Sequence, residues 1–416
     1  MKPFGWKMAK ILLFLCALII VTNCHRTYKI PTGIEFDSYI FRSGDNGDNW
    51  CLTWAGDGDL YTSQCDGRGW RYENGNQRDF MNNQVWRIKG GPDPDSFTPF
   101  LVEGAPDYSR TAQQEIYGLI QPGDSAIEFP QAERLDVWNW YSYGIVSIDG
   151  SIYQFISHCG ERSGFGWFDG SQLIWRPSGK KEWMRWNGTD ANDREKWLIN
   201  EGGNQLFFYQ EQELAFSFIT VAQFGQDYEL NRDGYVYLYS PTGKEKSNLL
   251  NMARVKKEDI LNRAKWEFFT GITENGQAGW SPEIDDRGVV QRFPEGWGFY
   301  SWSPSVVWNE GLQIFIMTVA GTQKPGTGGV LEKYMHYESG GLMFLWAENP
   351  WGPWKQFYWE ENWVADDQEN RLYLPQLSPK WISKDGRSMY MVFSDAGRSY
   401  SLRYLWNMQK VHLTFD

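Results

Sequence analysis

Asp48 and Asp66 stand at the two open ends of one short segment, GDNWCLTWAGDGDLYTSQCDGRGW, which runs from Gly47 to Trp70. Its centre, Ala55-Gly56-Asp57-Gly58-Asp59, has the composition of a tight turn, because Gly accepts positive φ and Asp bonds its own backbone. The flanks, Trp50 to Trp54 and Leu60 to Cys65, are aromatic and β-branched, as strands are. Folding the segment about Asp57 and Gly58 brings Asp48 near-opposite Asp66, and Cys51 near-opposite Cys65. Two carboxyl groups side by side suit hydrolysis of a glycosidic bond. One protonates the leaving oxygen, and the other serves as base or nucleophile at the anomeric carbon. Crowding two like charges also raises the proton affinity of one of them, as a general acid requires. The competing reading makes both acids ordinary turn residues at strand ends.

Other chemistries find little support. The chain has 4 His and no Cys-x-x-Cys or His-x-x-x-His, which argues against a structural zinc site, and with so few His and no Gly-x-Ser-x-Gly elbow a Ser/His/Asp triad has little support. Gly326 to Gly329, in KPGTGGV, lacks the Lys-Ser/Thr that grips phosphate. The run DNGDN lacks the following bidentate Glu of a calcium loop. No metal and no cofactor is expected. Formal charge is −12, and without the lysines of the first 23 residues it is −15. Such an acidic body disfavours nucleic-acid backbones and anionic membrane surfaces as partners.

The elements that position the two acids repeat along the chain. A turn followed by an apolar–x–aromatic pattern occurs at Gly58-Asp59-Leu60-Tyr61 and Asp149-Gly150-Ser151-Ile152-Tyr153. It returns at Asp233-Gly234-Tyr235-Val236-Tyr237, at Asn309 to Phe315 and at Lys384 to Tyr390. Counted from Tyr61 through Tyr153, Tyr237 and Phe315 to Tyr390, the steps are 92, 84, 78 and 75 residues. Five hairpins at similar spacing, each with room for two more strands, predict an all-β fold: a five-bladed β-propeller. Helical signal is sparse, with Lys256 to Arg263 the best segment and Arg110 to Gly118 a weaker one. No linker interrupts residues 34–416, which are read as one domain.

Ahead of that domain, Lys7 and Lys10 precede an apolar run, Ile11 to Val21, too short for a comfortable membrane span. Residues 1–23 read as a signal peptide and 24–33 as a tether. Val21-Thr22-Asn23-Cys24 resembles a lipobox, with Cys24 the lipidated residue, although Asn23 departs from the usual small residue. Both outcomes stay open: a lipid-anchored protein, or a plainly secreted periplasmic, cell-surface or extracellular one. An oxidising compartment admits a Cys51–Cys65 disulfide, and two buried thiols are the alternative.

The opening segment resembles the signature of a bacterial family of five-bladed β-propellers, catalogued as a domain of unknown function, that includes endo-D-arabinanases. DGYVYLYSPTG, LNMARVKKEDILNRAKWEFFTG and SPSVVWNEGLQIFIMTV resemble its middle, and AENPWGPWKQFYW and LSPKWISKDGRSMYMVFS its end. The resemblance covers roughly Ile34 to Phe393 and implies a glycoside hydrolase acting on a polysaccharide or oligosaccharide. It carries the essential acids onto Asp48 and Asp66. An insertion-like stretch, Phe80 to Pro130, departs from the family pattern. With the blades in the same register, the mouth is lined by Trp140, Tyr141, His158, Gln226, Asp227, Tyr300 and Gln376. Arg68 is expected as a hydroxyl donor and Trp70 as a sugar platform, with Glu161 and Asp227 as reserve acids. Two further readings keep the fold: a non-catalytic carbohydrate-binding propeller at the cell surface, and an interaction module suggested by the 24 Trp.

Overall fold

A computed structural model describes residues 29–106, 108–109, 140–159, 168–186, 191, 208–209, 211, 214–241, 248–294, 303–322, 340–361, 363–366, 372–395 and 404–416. It contains five antiparallel sheets arranged as blades around an axis. Blade 1 has Asn46–Asp48 and Leu52–Trp54 innermost, followed by Leu60–Gly69, Met81–Lys89 and Thr98–Leu101. Blade 2 comprises Trp140–Ile148, Ser151–Cys159, Phe168–Arg176 and Met184–Arg185. Blade 3 runs Thr220–Val221, Tyr235–Pro241, Leu249–Lys256, Glu267–Ile272 and Ala278–Ser281. Blade 4 is Ser305–Asn309, Ile314–Thr322, Gly340–Ala347 and Lys355–Glu360. Blade 5 starts with Leu372–Ile382, Ser388–Asp395 and Trp406–Thr414, and its outermost strand comes from the other end of the chain, Gly33–Ser43. That strand pairs antiparallel with Trp406–Thr414 and closes the ring.

The five repeated hairpins are the innermost and second strands of the five blades. Neighbouring innermost strands meet around the axis through hydrogen bonds. Gly144 N–H donates to the Ile219 carbonyl, Trp308 N–H to the Gln223 carbonyl, and Leu377 N–H to Ser305 Oγ. Gly144 is required at the first of these contacts. A Cβ there would lie 2.5 Å from the Ile219 carbonyl oxygen and 2.9 Å from Thr220 Cα. On the axis itself a small polar hollow is lined from all five blades, by residues that include Cys51, Ile145, Thr220, Gln223, Ser305 and Gln376. The charged segment read as helical forms two separate 3-10 turns, Lys257–Asp259 and Arg263–Lys265.

Side-chain alternation explains where the tryptophans go. Successive residues of a strand point to opposite faces. In blade 1, Trp50, Leu52, Leu60, Trp86 and Ile88 pack against Trp381, Val392, Trp406 and Met408 of blade 5. Their neighbours Cys51, Tyr61 and Val85 pack against Trp140, Ile145 and Ile152 of blade 2. Each blade is therefore apolar on both faces. Trp50, Trp86, Trp140, Trp183 and Trp406 are fully buried in these seams, and Trp266 is fully buried in the cluster that joins blades 2, 3 and 4.

Candidate active site

All innermost strands run the same way, so the disc has an entry end, where those strands begin, and a turn end, where the hairpins fold back. Asp48 closes the first short strand at the entry end and is 3% exposed. The next residue, Asn49, has φ 53, and this left-handed step breaks the innermost strand in two. Asp66 lies near the exit of the second strand, also with φ 43, and is half-buried. Asp and Asn tolerate this region better than other residues with a Cβ, and strained backbone of this kind gathers at functional sites. Gly67 lets the two strands close up: a Cβ there would lie 2.3 Å from the Asn46 carbonyl oxygen.

The irregular backbone shifts the expected register. Asp48 pairs with Cys65 rather than with Asp66, while Leu52, Thr53 and Trp54 pair with Thr62, Tyr61 and Leu60. Cys51 lies opposite Ser63, whose N–H donates to the Cys51 carbonyl. The two cysteines are thus offset, and both are buried thiols rather than a disulfide. Burial pushes the Cys51 thiol up to about 12, against weaker downward pulls from Ser303 and Ser63.

A phenol from blade 5 reaches Asp48. Tyr404, from the segment leading into the third strand of blade 5, donates its hydroxyl hydrogen to Asp48 Oδ2. Burial first, then the charges of Asp48 and Asp66, hold the Tyr404 phenol well above the ordinary range. Tyr143 of blade 2 is raised by burial and by Cys65, Tyr373 and Asp48. The entry end thus collects Asp48, Cys65 and Asp66 from blade 1, Tyr143 from blade 2, and Tyr373 and Tyr404 from blade 5. The three tyrosines escape a reading of the first hairpin alone. They become visible only when ring closure sets blades 2 and 5 on either side of blade 1. Among the described residues no three or more His, Cys, Asp or Glu are arranged to hold a metal ion.

Several expected mouth residues lie elsewhere. Trp70 is 7% exposed, with its ring 4.9 Å from Trp86 and 5.3 Å from Trp50, and its Nε1–H donates to Ser43 Oγ. It packs the seam between blades 1 and 5 and presents no platform. Asp227 and Gln226 sit at the turn end. The Asp227 carboxylate accepts from Gly150 N–H at 2.8 Å and from Ser147 Oγ at 2.6 Å, tying the blade 2 hairpin. Gln226 donates to the Ala55 and Gly56 carbonyls. The cause is blade 3, whose innermost strand is Thr220–Val221, so residues 226–227 follow it rather than precede it.

Trp140 and His158 are opposite each other in blade 2, ring centroids 5.0 Å apart, and both are buried. Tyr141 is half-buried and sets its ring edge-on to Phe168. Gln376 is buried beside the axis and donates to the Ser303 carbonyl and hydroxyl. Arg68 is near Asp66 but spends one guanidinium N–H on the Arg78 carbonyl, at 2.6 Å. Cys24, Glu161 and Tyr300 lie outside the described residues.

The buried thiol and phenols make alkaline pH destabilising. Between pH 9 and about 12 the unfolded chain has lost the Cys51 proton that the folded chain keeps. The unfolded state then binds fewer protons, so stability falls as pH rises, by up to roughly 4 kcal/mol from this group. Tyr143, Tyr228, Tyr239 and Tyr404, all raised by burial, act in the same direction above pH 10. Thermal melts from pH 7 to 11 should show Tm dropping steadily beyond pH 9. A flat profile would contradict the burial of these groups.

No protein-family model matches this sequence, and a search of curated proteins finds no match. Among solved structures the chain is similar to a proposed hydrolase from Bacteroides ovatus, at 12% identity and TM-score 0.48 over 89% of this chain and 87% of that one. It is also similar to the catalytic domain of a Coprinopsis cinerea α-L-arabinofuranosidase, at 9% identity and TM-score 0.44 over 92% and 98% of the two chains. A variant of the Cellvibrio cellulosa α-L-arabinanase aligns at 12% identity and TM-score 0.43, over 90% and 94%. Values this low bear on neither reaction nor substrate, for which the residues themselves are the guide.

Proposed function

We propose that this chain is a glycoside hydrolase of polysaccharides, endo-D-arabinanase-like in its substrate, with Asp48 and Asp66 as its acid pair. The observation that carries the reading is that Asp48 pairs with Cys65, the residue next to Asp66, at the entry end of the propeller, where the Tyr404 phenol donates to Asp48. One acid delivers a proton to the leaving sugar oxygen. The other either removes a proton from an attacking water or attacks the anomeric carbon itself. The opening motif supports the choice of D-arabinan. We also propose export, with residues 1–23 removed and the mature protein either lipidated at Cys24 or freely secreted. Mass spectrometry that finds residues 1–23 on the mature protein would overturn it.

Purified protein should be incubated with D-arabinan, L-arabinan and a panel of plant and bacterial glycans. Release of oligosaccharides from D-arabinan is the expected result. Glycan binding with no product from any polysaccharide, surviving Asp48→Asn and Asp66→Asn together, would instead identify a carbohydrate-binding propeller.

A further inference from the structure

We propose that Tyr404 is a positioning residue that holds Asp48 in place as a carboxylate, making Asp48 the base or nucleophile of the pair and Asp66 the acid. The assignment of roles rests on the hydrolase reading above; the hold on Asp48 does not.

Tyr404 meets the Gly47-Asp48 segment twice. Its carbonyl accepts the Gly47 N–H at 3.0 Å, and its phenol donates to Asp48 Oδ2. Blade 5 grips the same segment a second time: Ser394 Oγ donates to the Gly47 carbonyl at 2.7 Å and accepts from Trp50 Nε1–H at 2.9 Å. Asp48 is therefore fixed on both flanks from across the blade seam. A hydrogen bond donated to a carboxylate favours its ionised form, and such charge-assisted bonds are the strong ones. The donor does not switch off, because burial and the neighbouring acids keep the Tyr404 phenol protonated. The titratable groups acting around Asp48 are Cys51, Cys65 and Asp66 from blade 1, Tyr143 from blade 2, and Tyr373 and Tyr404 from blade 5.

Asp66 is placed differently. It is more exposed, on a bulged strand, one residue beyond Cys65, the register partner of Asp48. Burial by itself favours the protonated form of Asp48, the more enclosed of the two, and the Tyr404 donor opposes it, so the division of acid from base rests on that hydrogen bond. The step balances on that division. The C–O electron pair leaves with the glycosidic oxygen, which takes the Asp66 proton. Asp48 removes a proton from the attacking water or bonds to the anomeric carbon.

The test is Tyr404→Phe, which keeps the ring and the backbone contact and deletes the donor. Carboxyl ¹³C NMR of aspartate-labelled protein follows Asp48, assigned by the resonance missing from Asp48→Asn. Its midpoint should rise by about one pH unit or more in Tyr404→Phe. The acid limb of the kcat/KM profile on D-arabinan should rise with it. A purely structural tyrosine would lower the rate at every pH and leave the limb in place. Should the Phe variant fail to fold, 3-fluorotyrosine at position 404 keeps the shape, strengthens the donor and should move the midpoint down. An unmoved Asp48 midpoint overturns the proposal, whether or not the wild type cleaves glycan. A moved midpoint in a protein that cleaves no polysaccharide keeps the hold of Tyr404 on Asp48 and removes the hydrolase reading.

Discussion

Asp66→Asn should lose about 10²- to 10⁴-fold in kcat/KM on D-arabinan while folding normally, the usual loss for a general acid. On the free-energy scale that is about 3–5 kcal/mol of transition-state stabilisation. Asn is the informative replacement. It matches Asp in shape, and like Asp it tolerates the φ of 43 that this position demands. Ala would add backbone strain and blur the result. The loss should shrink on an aryl arabinofuranoside, because a nitrophenolate leaves without needing a proton. Asp48→Asn should be at least as damaging and should show no such relief, because its role lies on the other side of the bond. The double variant should be little worse than the poorer single one, as groups that act in one step are not additive. Steady-state kinetics on both substrates, with circular dichroism as the folding control, measures all of this. Undiminished turnover by Asp66→Asn would remove that residue from the chemistry.

The hairpins were legible because each carries its own turn: Asp or Asn with Gly, then a strand that alternates. That information is local, and it located the second strand of every blade and the innermost strand of all but blade 3. The errors arose where the deciding contact comes from another blade. Trp70 reads as an exposed platform from its own segment, yet its ring lies among Trp50, Trp86 and Trp406. Nothing within residues 47–70 announces Trp406. Asp227 reads as a mouth residue and lies at the turn end because the innermost strand of blade 3 is only Thr220–Val221, too short to leave a periodic signal. Of the two states open to Cys51 and Cys65, the thiols are the one found, because the left-handed backbone at Asn49 interrupts the register that a bridge would need. The same interruption leaves Asp48 at the entry end with Tyr404 bound to it, so the feature that defeats the register also builds the candidate site.

Ring closure connects that site to stability. Blade 5 is completed by a strand from the start of the domain and then supplies Tyr404 and Ser394 to Asp48 and its flank in blade 1. The two blades that hold the acids in place are therefore the two joined last along the chain. A weakness in the closure should be felt at the site before it is felt in blade 3, which has no part in the seam.

The sharpest form of that argument is removal of residues through Ser43, which should leave a chain with no cooperative melt that aggregates in solution. The deleted strand pairs with Trp406–Thr414 along two stretches separated by a bulge. It buries Ile40, sets Phe36 5.6 Å from Tyr358 of blade 4, and sets Phe41 5.1 Å from Phe97 beside the outermost strand of blade 1, so it touches those blades as well as its own. Buried Ile40 contributes roughly 1.5–3 kcal/mol, the half-buried Phe36 and Phe41 less each, and each lost ladder bond about 1 kcal/mol. Their total rivals the 5–15 kcal/mol by which a typical domain is stable. The strand Trp406–Thr414 would become a bare edge, a template for aggregation. Ile40→Ala is the graded version: about 2–5 kcal/mol less stable by urea denaturation, with kcat/KM falling further than in a variant of equal instability in blade 3, such as Val236→Ala. A truncated chain that stays monomeric and melts like the full one would show that closure does not depend on this strand. Equal kinetic losses in the two matched variants would separate the closure from the site.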